Sequence, residues 1–457
     1  MTQPRFARAA TALTSIALAL ASPAAHAARA PSSAASDLGL TITHHELGNG
    51  LRIYLCENHT VPTMSLWTFY RVGSRNERPG ITGISHLFEH LMFNGAKKYG
   101  PEEFDRALES NGGFSNAFTD KDVTAYYEDF PSSALELVMD LESDRMRDLD
   151  LSPKSLATER EVVKEERRFR TDNSIPGKMG ELLYAAAYMA HPYHWPVVGW
   201  MADIDSIHTD DLVHYFRTFY APNNCTMILA GDFDSKRALG LIDRYFSSLP
   251  RGPAPPPVPD NEPPQTGERR VEHHFPAQAP AFYAGYHIPS VSSADLYPLE
   301  VLGTVLGTGE SSRLHRRLVY QEQIALSADA GFRWRLDPGL FTVYVEMAPE
   351  HAVVQGEKSA YDEITKVAAE GVGERELTKA KNQVRADLLR SLKTNEGRGE
   401  QIGTYDLWFG DPKAMNQALG RIEAVRAEDV KRVARQYFDA RNRTVVVLVP
   451  EKEGATP

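Results

Sequence analysis

His86-Leu87-Phe88-Glu89-His90 carries more information than any other stretch of this 457-residue chain. Residues four apart on a helix lie on one face, one turn from each other, so His86 and His90 can offer both imidazoles to a single zinc ion. Glu89 points to nearly the same side, where its carboxylate can take the proton of a water molecule. The order inverts the His-Glu-x-x-His zinc pattern. Gly80-Ile81-Thr82-Gly83-Ile84-Ser85 gives the helix a loop-like entry, and Leu87, Phe88, Leu91, Met92 and Phe93 supply the apolar wall that a metal site needs behind its ligands. The bland alternative, a half-buried helix with two hydrogen-bonded histidines, is weakened by that context.

Two histidines leave zinc short, because a catalytic zinc usually takes three protein ligands and keeps one open position. The third ligand is expected on another element. Residues 155–170, SLATEREVVKEERRFR, form a charged, helix-favouring run without Gly or Pro. Glu159 and Glu166 are two turns apart on one face of it. Periodicity alone does not choose among Glu159, Glu161, Glu165 and Glu166, and a solvated helix laced with ion pairs would read the same way.

The pentad, followed about 75 residues later by Glu-Arg-x-Val-Val-x-Glu-Glu, resembles the pitrilysin/insulinase family of zinc peptidases, whose smaller members are similar to mitochondrial processing peptidase subunits. The resemblance implies Glu166 as third metal ligand and Glu159 as the glutamate behind the ligands, orienting a histidine or holding a helix. Gly112-Gly113-Phe114-Ser115-Asn116-Ala117-Phe118-Thr119, with Asp122, Thr124 and Tyr126, resembles the family's substrate-edge strand. His191-Pro192-Tyr193, with Pro196 and Gly199, resembles its next loop. The implied protein is a peptidase with one zinc ion per chain, held by His86, His90 and Glu166. Glu89 would serve as proton acceptor and donor, and Ser115, Asn116, Ala117 and Phe118 would receive an extended peptide as an added strand. The implied fold is α+β, two homologous α/β-sandwich-like domains in tandem, together half of a clamshell.

The second half departs from that pattern. Self-sufficient family members carry an arginine and a tyrosine in Leu-Arg-x-x-x-x-Leu-x-Tyr, which bind substrate and stabilise the oxyanion. Here Ser311-Ser312-Arg313-Leu314 sets the register, and those two positions are Val319 and Leu326. Neither side chain can donate a hydrogen bond. The expectation is a division of labour, with a homologous partner subunit supplying the Arg/Tyr pair in a heterodimer. A structural or peptide-binding member of the same fold is the competing reading.

Other features set the frame. Arg5 and Arg8, the apolar run Ala9–Ala21 and Ala25-His26-Ala27 read as a cleavable secretory signal over residues 1–27, which predicts a periplasmic or secreted protein. No later run is long and apolar enough to span a bilayer. The net charge of −11 argues against nucleic acid as a partner. The two cysteines, Cys56 and Cys225, either pair or sit as small buried residues in strands. The proline-rich stretch 251–268 reads as a linker between an N-terminal domain (28–250) and a C-terminal one (269–457) that lacks zinc ligands. Phe219-Tyr220-Ala221-Pro222-Asn223-Asn224-Cys225-Thr226 is echoed by Tyr437-Phe438-Asp439-Ala440-Arg441-Asn442-Arg443-Thr444, which points to a duplicated fold. His44-His45 and His273-His274 would face opposite ways on strands, and His191 and His194 would shape a loop.

Overall fold

The computed structural model describes residues 38–259 and 261–451; the expected signal peptide lies outside the described residues. Two sheets organise the chain. The first contains β1 (Thr43–Glu46), β2 (Arg52–Glu57), β3 (Thr63–Tyr70), β4 (Phe114–Thr119), β5 (Thr124–Pro131) and β6 (Cys225–Gly231) in the order β1-β2-β6-β3-β5-β4. The second contains β7 (Arg269–Phe275), β8 (Ala281–Ile288), β9 (Ala325–Phe332), β10 (Gly339–Met347) and β11 (Arg443–Pro450) in the order β7-β11-β8-β10-β9. With β1 set aside the two orders superpose: each sheet has one parallel pair, β2 with β6 and β7 with β11, and antiparallel neighbours otherwise. Covered on both faces, β6 is buried along its whole length, Cys-Thr-Met-Ile-Leu-Ala-Gly, as expected of a central strand.

The sequence echo is a structural one. Asn224 donates Nδ2 to the Phe219 carbonyl at 2.8 Å, and Asn442 does the same to Tyr437 at 2.7 Å, each folding the chain from a helix into a central strand. The preceding helices start alike: the Asp211 carboxylate accepts the His208 N–H and the Asp429 carboxylate that of Arg426, both at 3.0 Å.

Each half lends a helix to the other. Ile175–Ala187 sets Met179, Leu183 and Ala187 against Ala281, Val446 and Leu448 of the second sheet. Asn395–Phe409 lies across β3 and β6 of the first. Its Gly399 and Gly403, one turn apart, have no room for a Cβ: it would stand 2.4 Å from Trp67 and 2.2 Å from Phe69. Asp406 of this helix is buried under the first sheet, accepting from Tyr54 Oη (2.9 Å), Thr226 Oγ1 (2.9 Å), Arg71 Nη2 (2.8 Å) and Arg52 Nη1 (3.2 Å). The proline-rich segment is pinned to the surface. Its Glu262 carboxylate accepts the N–H groups of Met189, Ala190 and His191 at 2.8–3.0 Å.

The cysteines are free and buried. In the parallel register Cys56 stands beside Ala230, five residues along β6 from Cys225. At about 3.3 Å per residue that is roughly 16 Å, more than twice the reach of a disulfide.

Candidate active site

The pentad lies in the helix Ile84–Leu91, in which Leu87, Phe88 and Leu91 are fully buried, His86 is buried, and Glu89 and His90 are half-buried on the accessible side. Its start is set by Glu77, which sequence reasoning missed. The Glu77 carboxylate accepts the N–H groups of Gly83 and Ser85, both at 2.8 Å, capping the first turn from a neighbouring loop. Burial pushes this carboxyl up to about 8, against the pull of those two donors. Gly83 has φ +90, and a Cβ there would meet the Val198 carbonyl at 2.4 Å; Gly199 faces it, also at positive φ. The loop named in the sequence by Pro196 and Gly199 is thus the strap that seats the motif helix.

The helix Pro153–Arg167 lies alongside and begins with Ser152 as N-cap, its Oγ accepting the Ser155 N–H at 3.2 Å. It carries Glu159 and Glu166 to the motif helix. Glu166 Oε2 stands 3.0 Å from His90 Nε2 and 3.6 Å from His86 Nε2. Glu159 Oε2 lies 3.6 Å from His90 Nδ1, on the far side of the ring. Of the glutamates left open by periodicity, Glu161 and Glu165 turn away, to Lys164 and Arg168. At the last position of the helix, Arg167 donates to the Gly199 carbonyl at 2.7 Å and pairs with Glu181 at 2.7 Å, tying the helix end next to Glu166 to the neighbouring loop and helix. Arg170 reaches back one turn to Glu166 Oε1 at 2.9 Å.

Among the described residues, His86, His90 and Glu166 are the one group of three or more ligand-type side chains whose donor atoms lie close enough to hold a metal, within 4.8 Å of one another. Tetrahedral zinc with bonds of about 2.0–2.1 Å spaces its ligand atoms at about 3.3 Å. The observed 3.0 and 3.6 Å bracket that value, so the donor set fits the ion. The electrostatics differ between the ligands: burial works against charge on His90, but the Glu166 hydrogen bond and the neighbouring carboxylates raise that imidazole. Burial, with the charge of His90 second, lowers His86 to about 4 and keeps it a neutral ligand. Burial alone would raise Glu166, but the His90 hydrogen bond and the charges of His86, His90 and Arg170 bring it down to about 2. Burial raises Glu89, opposed chiefly by the Thr119 hydroxyl and His90.

Thr119 ends β4, the outer strand of the first sheet, bonded to β5 alone. Ser115, Asn116, Ala117 and Phe118 therefore lie on a strand with one free edge. Ser115 Oγ donates to Asp105 at 2.8 Å, and Phe118 packs edge-on to Trp67. The hairpin turn after β4 is tied to the second half. Arg335 grips Asp120 with two bonds, 2.7 and 2.9 Å, and the Asp122 carboxylate accepts Tyr193 Oη at 2.6 Å. His191 and His194 serve this loop, His191 Nε2 at 3.0 Å from Asp337 and His194 Nδ1 at 3.1 Å from the Ala185 carbonyl. In the second half, Val319 is half-buried against the core, Leu326 is exposed at the start of β9, and Arg313 is engaged by Glu376 at 2.6 and 2.8 Å.

This arrangement is a duplicated fold with, among the described residues, a cluster of metal-ligand type in the first copy, as in a peptidase of the inverted zinc-motif class. Residues 52–199 match the family model described as "Insulinase (Peptidase family M16)", and residues 206–384 match "Peptidase M16 inactive domain". The chain is 31% identical over 409 residues to "Zinc protease PqqE" of Helicobacter pylori, covering 88% of this chain and 92% of that protein. It belongs to the insulinase family. It is also 26% identical to "Mitochondrial-processing peptidase subunit beta" of Lentinula edodes, over 86% of each chain. A solved structure described as a protease from Helicobacter pylori superposes with a TM-score of 0.87 at 29% identity, covering 90% of this chain and 100% of that one.

Proposed function

We propose that this chain is the metal-bearing part of a zinc endopeptidase acting on unfolded peptides. The observation that carries the reading is the convergence of His86, His90 and Glu166 from two helices, with Glu89 beside them and the free edge of β4 adjacent. A bound zinc ion would supply Lewis acidity, polarising the scissile carbonyl and acidifying water. Glu89 holds a raised carboxyl on the accessible side of the helix, where it accepts the proton of the attacking water and returns it to the leaving amine nitrogen. Glu159 is a positioning residue: it orients the His90 ring through Nδ1, so that Nε2 faces Glu166. β4 takes the peptide as an added antiparallel strand, which reads backbone groups and leaves selectivity to side-chain pockets.

Val319 and Leu326 put no hydrogen-bond donor where the resemblance places an arginine and a tyrosine. We infer a homologous partner subunit that provides them. The name of the mitochondrial relative, a subunit, is in keeping with this. Export through residues 1–27 completes the reading, with the periplasm or exterior as the working compartment. Among the described residues no helix is long and apolar enough to cross a membrane.

The test is hydrolysis of a mixed quenched-fluorescent peptide set by the purified chain, alone and with the partner that co-purifies from its source, each with and without a chelator. Chelator-sensitive turnover that needs the partner is expected. Equal turnover by the chain alone overturns the partner inference. No turnover in either state, with zinc bound, favours a peptide-binding role instead.

A further inference from the structure

The helix Leu296–Gly307 holds in the second half the place that Ile84–Leu91 holds in the first. It follows β8 as the other follows β3, and it precedes the outer strand β9 as the other precedes β4. With Glu300 set on Glu89, Tyr297-Pro298-Leu299-Glu300-Val301 falls on His86-Leu87-Phe88-Glu89-His90, and the burial agrees except that Val301 is fully buried where His90 is half-buried. Tyrosine and valine replace the two histidines, so the metal set is gone, but the glutamate remains. Its Oε2 is buried and has no hydrogen-bond partner. Burial, with the charge of Asp387 second, raises this carboxyl to about 7.

A cavity of about 390 Å³ opens beside it, walled by Tyr297, Phe332, Trp334 and Tyr405. Its polar lining includes Asp387 and, among the described residues, no lysine or arginine. Arg390 pairs with the wall residue Asp387 at 2.9 Å, which leaves Glu300 as the unpaired carboxyl of the lining, and Arg421 donates to Gln417 at 2.8 Å. An unpaired buried carboxyl is unfavourable and is best relieved by a charged donor. Aromatic faces around it favour an organic cation, which is attracted to their negative faces. A bare divalent ion is a poor match, since calcium takes six to eight oxygen ligands and the two carboxylates here are Glu300 and the Arg390-paired Asp387. An anionic ligand would meet the unpaired Glu300. The volume lies at the small end of the range for small-molecule sites, about 300–1,000 Å³.

We propose that this cavity binds a primary alkylammonium group, its charge against the Glu300 carboxyl that lines the wall and its stem between Tyr297, Phe332, Trp334 and Tyr405. A free alkylamine and a lysine side chain present the same chemistry. The site is independent of the peptidase reading.

The test is calorimetric titration of the full chain with n-butylammonium, with the neutral isostere n-butanol, and with Nα-acetyl-lysine methylamide, repeated on Glu300→Gln. Saturable binding of n-butylammonium is expected, about tenfold or more tighter than n-butanol and weakened about tenfold in Glu300→Gln. Binding of the lysine derivative as well would admit a peptide side chain; its exclusion would assign the site to free amines. Equal affinity for amine and alcohol on the unmodified protein, unchanged affinity in Glu300→Gln, or no saturable binding at millimolar concentrations overturns the proposal. The amine–alcohol comparison needs no variant, so it stands even if Glu300→Gln folds poorly.

Discussion

Glu77 is buried and Glu89 half-buried at the motif helix, and they do different work. Glu89 has no strong ionic partner and sits next to the metal ligands, as a proton carrier must. Glu89→Gln should retain stoichiometric zinc and lose roughly 10²–10⁴ in kcat, checked by metal analysis and peptide turnover on one preparation. Glu159→Gln should weaken zinc affinity about 10–100-fold, measured by competition with a chelator, since His90 would lose its orienting partner. Glu77 bears on stability. Its carboxyl titrates near 8 in the folded protein against an ordinary value of 4.5, so the fold favours the protonated form. That contribution is complete below about pH 4.5 and is lost as pH rises through about 8. Thermal melts of Glu77→Gln at pH 5 and pH 8 should therefore show a smaller fall in Tm with pH than the parent chain. The spacing of His86, Glu89 and His90 could be read directly from the sequence, because a helix makes positions i and i+4 neighbours. Glu166 could not be separated from Glu159, Glu161 and Glu165 by periodicity; the family resemblance singled it out. Glu77 left no signal, since a carboxylate that caps a helix from a separate loop obeys no local spacing.

The helix Asn395–Phe409 shows why element-level reasoning reached the sheets more easily than their cover. Strands such as β3 and β10 announce themselves by apolar and β-branched runs. The pairing partner of a helix is not written in its own period. Here the one available sign was Gly399-x-x-x-Gly403, a flat strip on one face, which the packing against Trp67 and Phe69 uses in full. Gly403→Ala should destabilise the protein by about 1–3 kcal/mol through overpacking, despite a better helix propensity, as read from denaturant unfolding. Beneath the first sheet, Arg145 is fully buried between Glu128, at 2.7 Å, and Glu142, with its guanidinium 4.6 Å from the Phe104 ring centroid and 4.8 Å from that of Tyr126. Coulombic attraction from both carboxylates raises its pKa against the opposing effect of burial. Arg145→Ala would leave two buried carboxyls without a counter-charge and should lower stability by about 3–5 kcal/mol.

The two halves are one duplicated fold joined by more than a linker. The exchanged helices, the Asp406 network and the Arg335–Asp120 bond all cross from one half to the other. The proline-rich segment lies in the chain between the strands of the first sheet and those of the second, but composition carries no information on helices traded across that point. Removing the buried acceptor in Asp406→Ala strands two arginines and should cost about 3–5 kcal/mol, with both halves still unfolding in one transition by tryptophan fluorescence and circular dichroism. Under the proposed function the duplication also separates tasks: the candidate ligand cluster and the free edge of β4 lie in the first copy, and the second carries Glu300 on the corresponding helix without the histidines. The central claim is that His86, His90 and Glu166 hold a metal through which Glu89 can hydrolyse peptides. The most direct measurement is chelator-reversible peptide hydrolysis by the zinc-loaded protein with its partner, compared with Glu89→Gln under the same conditions. Turnover that disappears with chelator, returns with zinc and is abolished in Glu89→Gln at full zinc occupancy is the predicted result. Turnover that survives either treatment would contradict it.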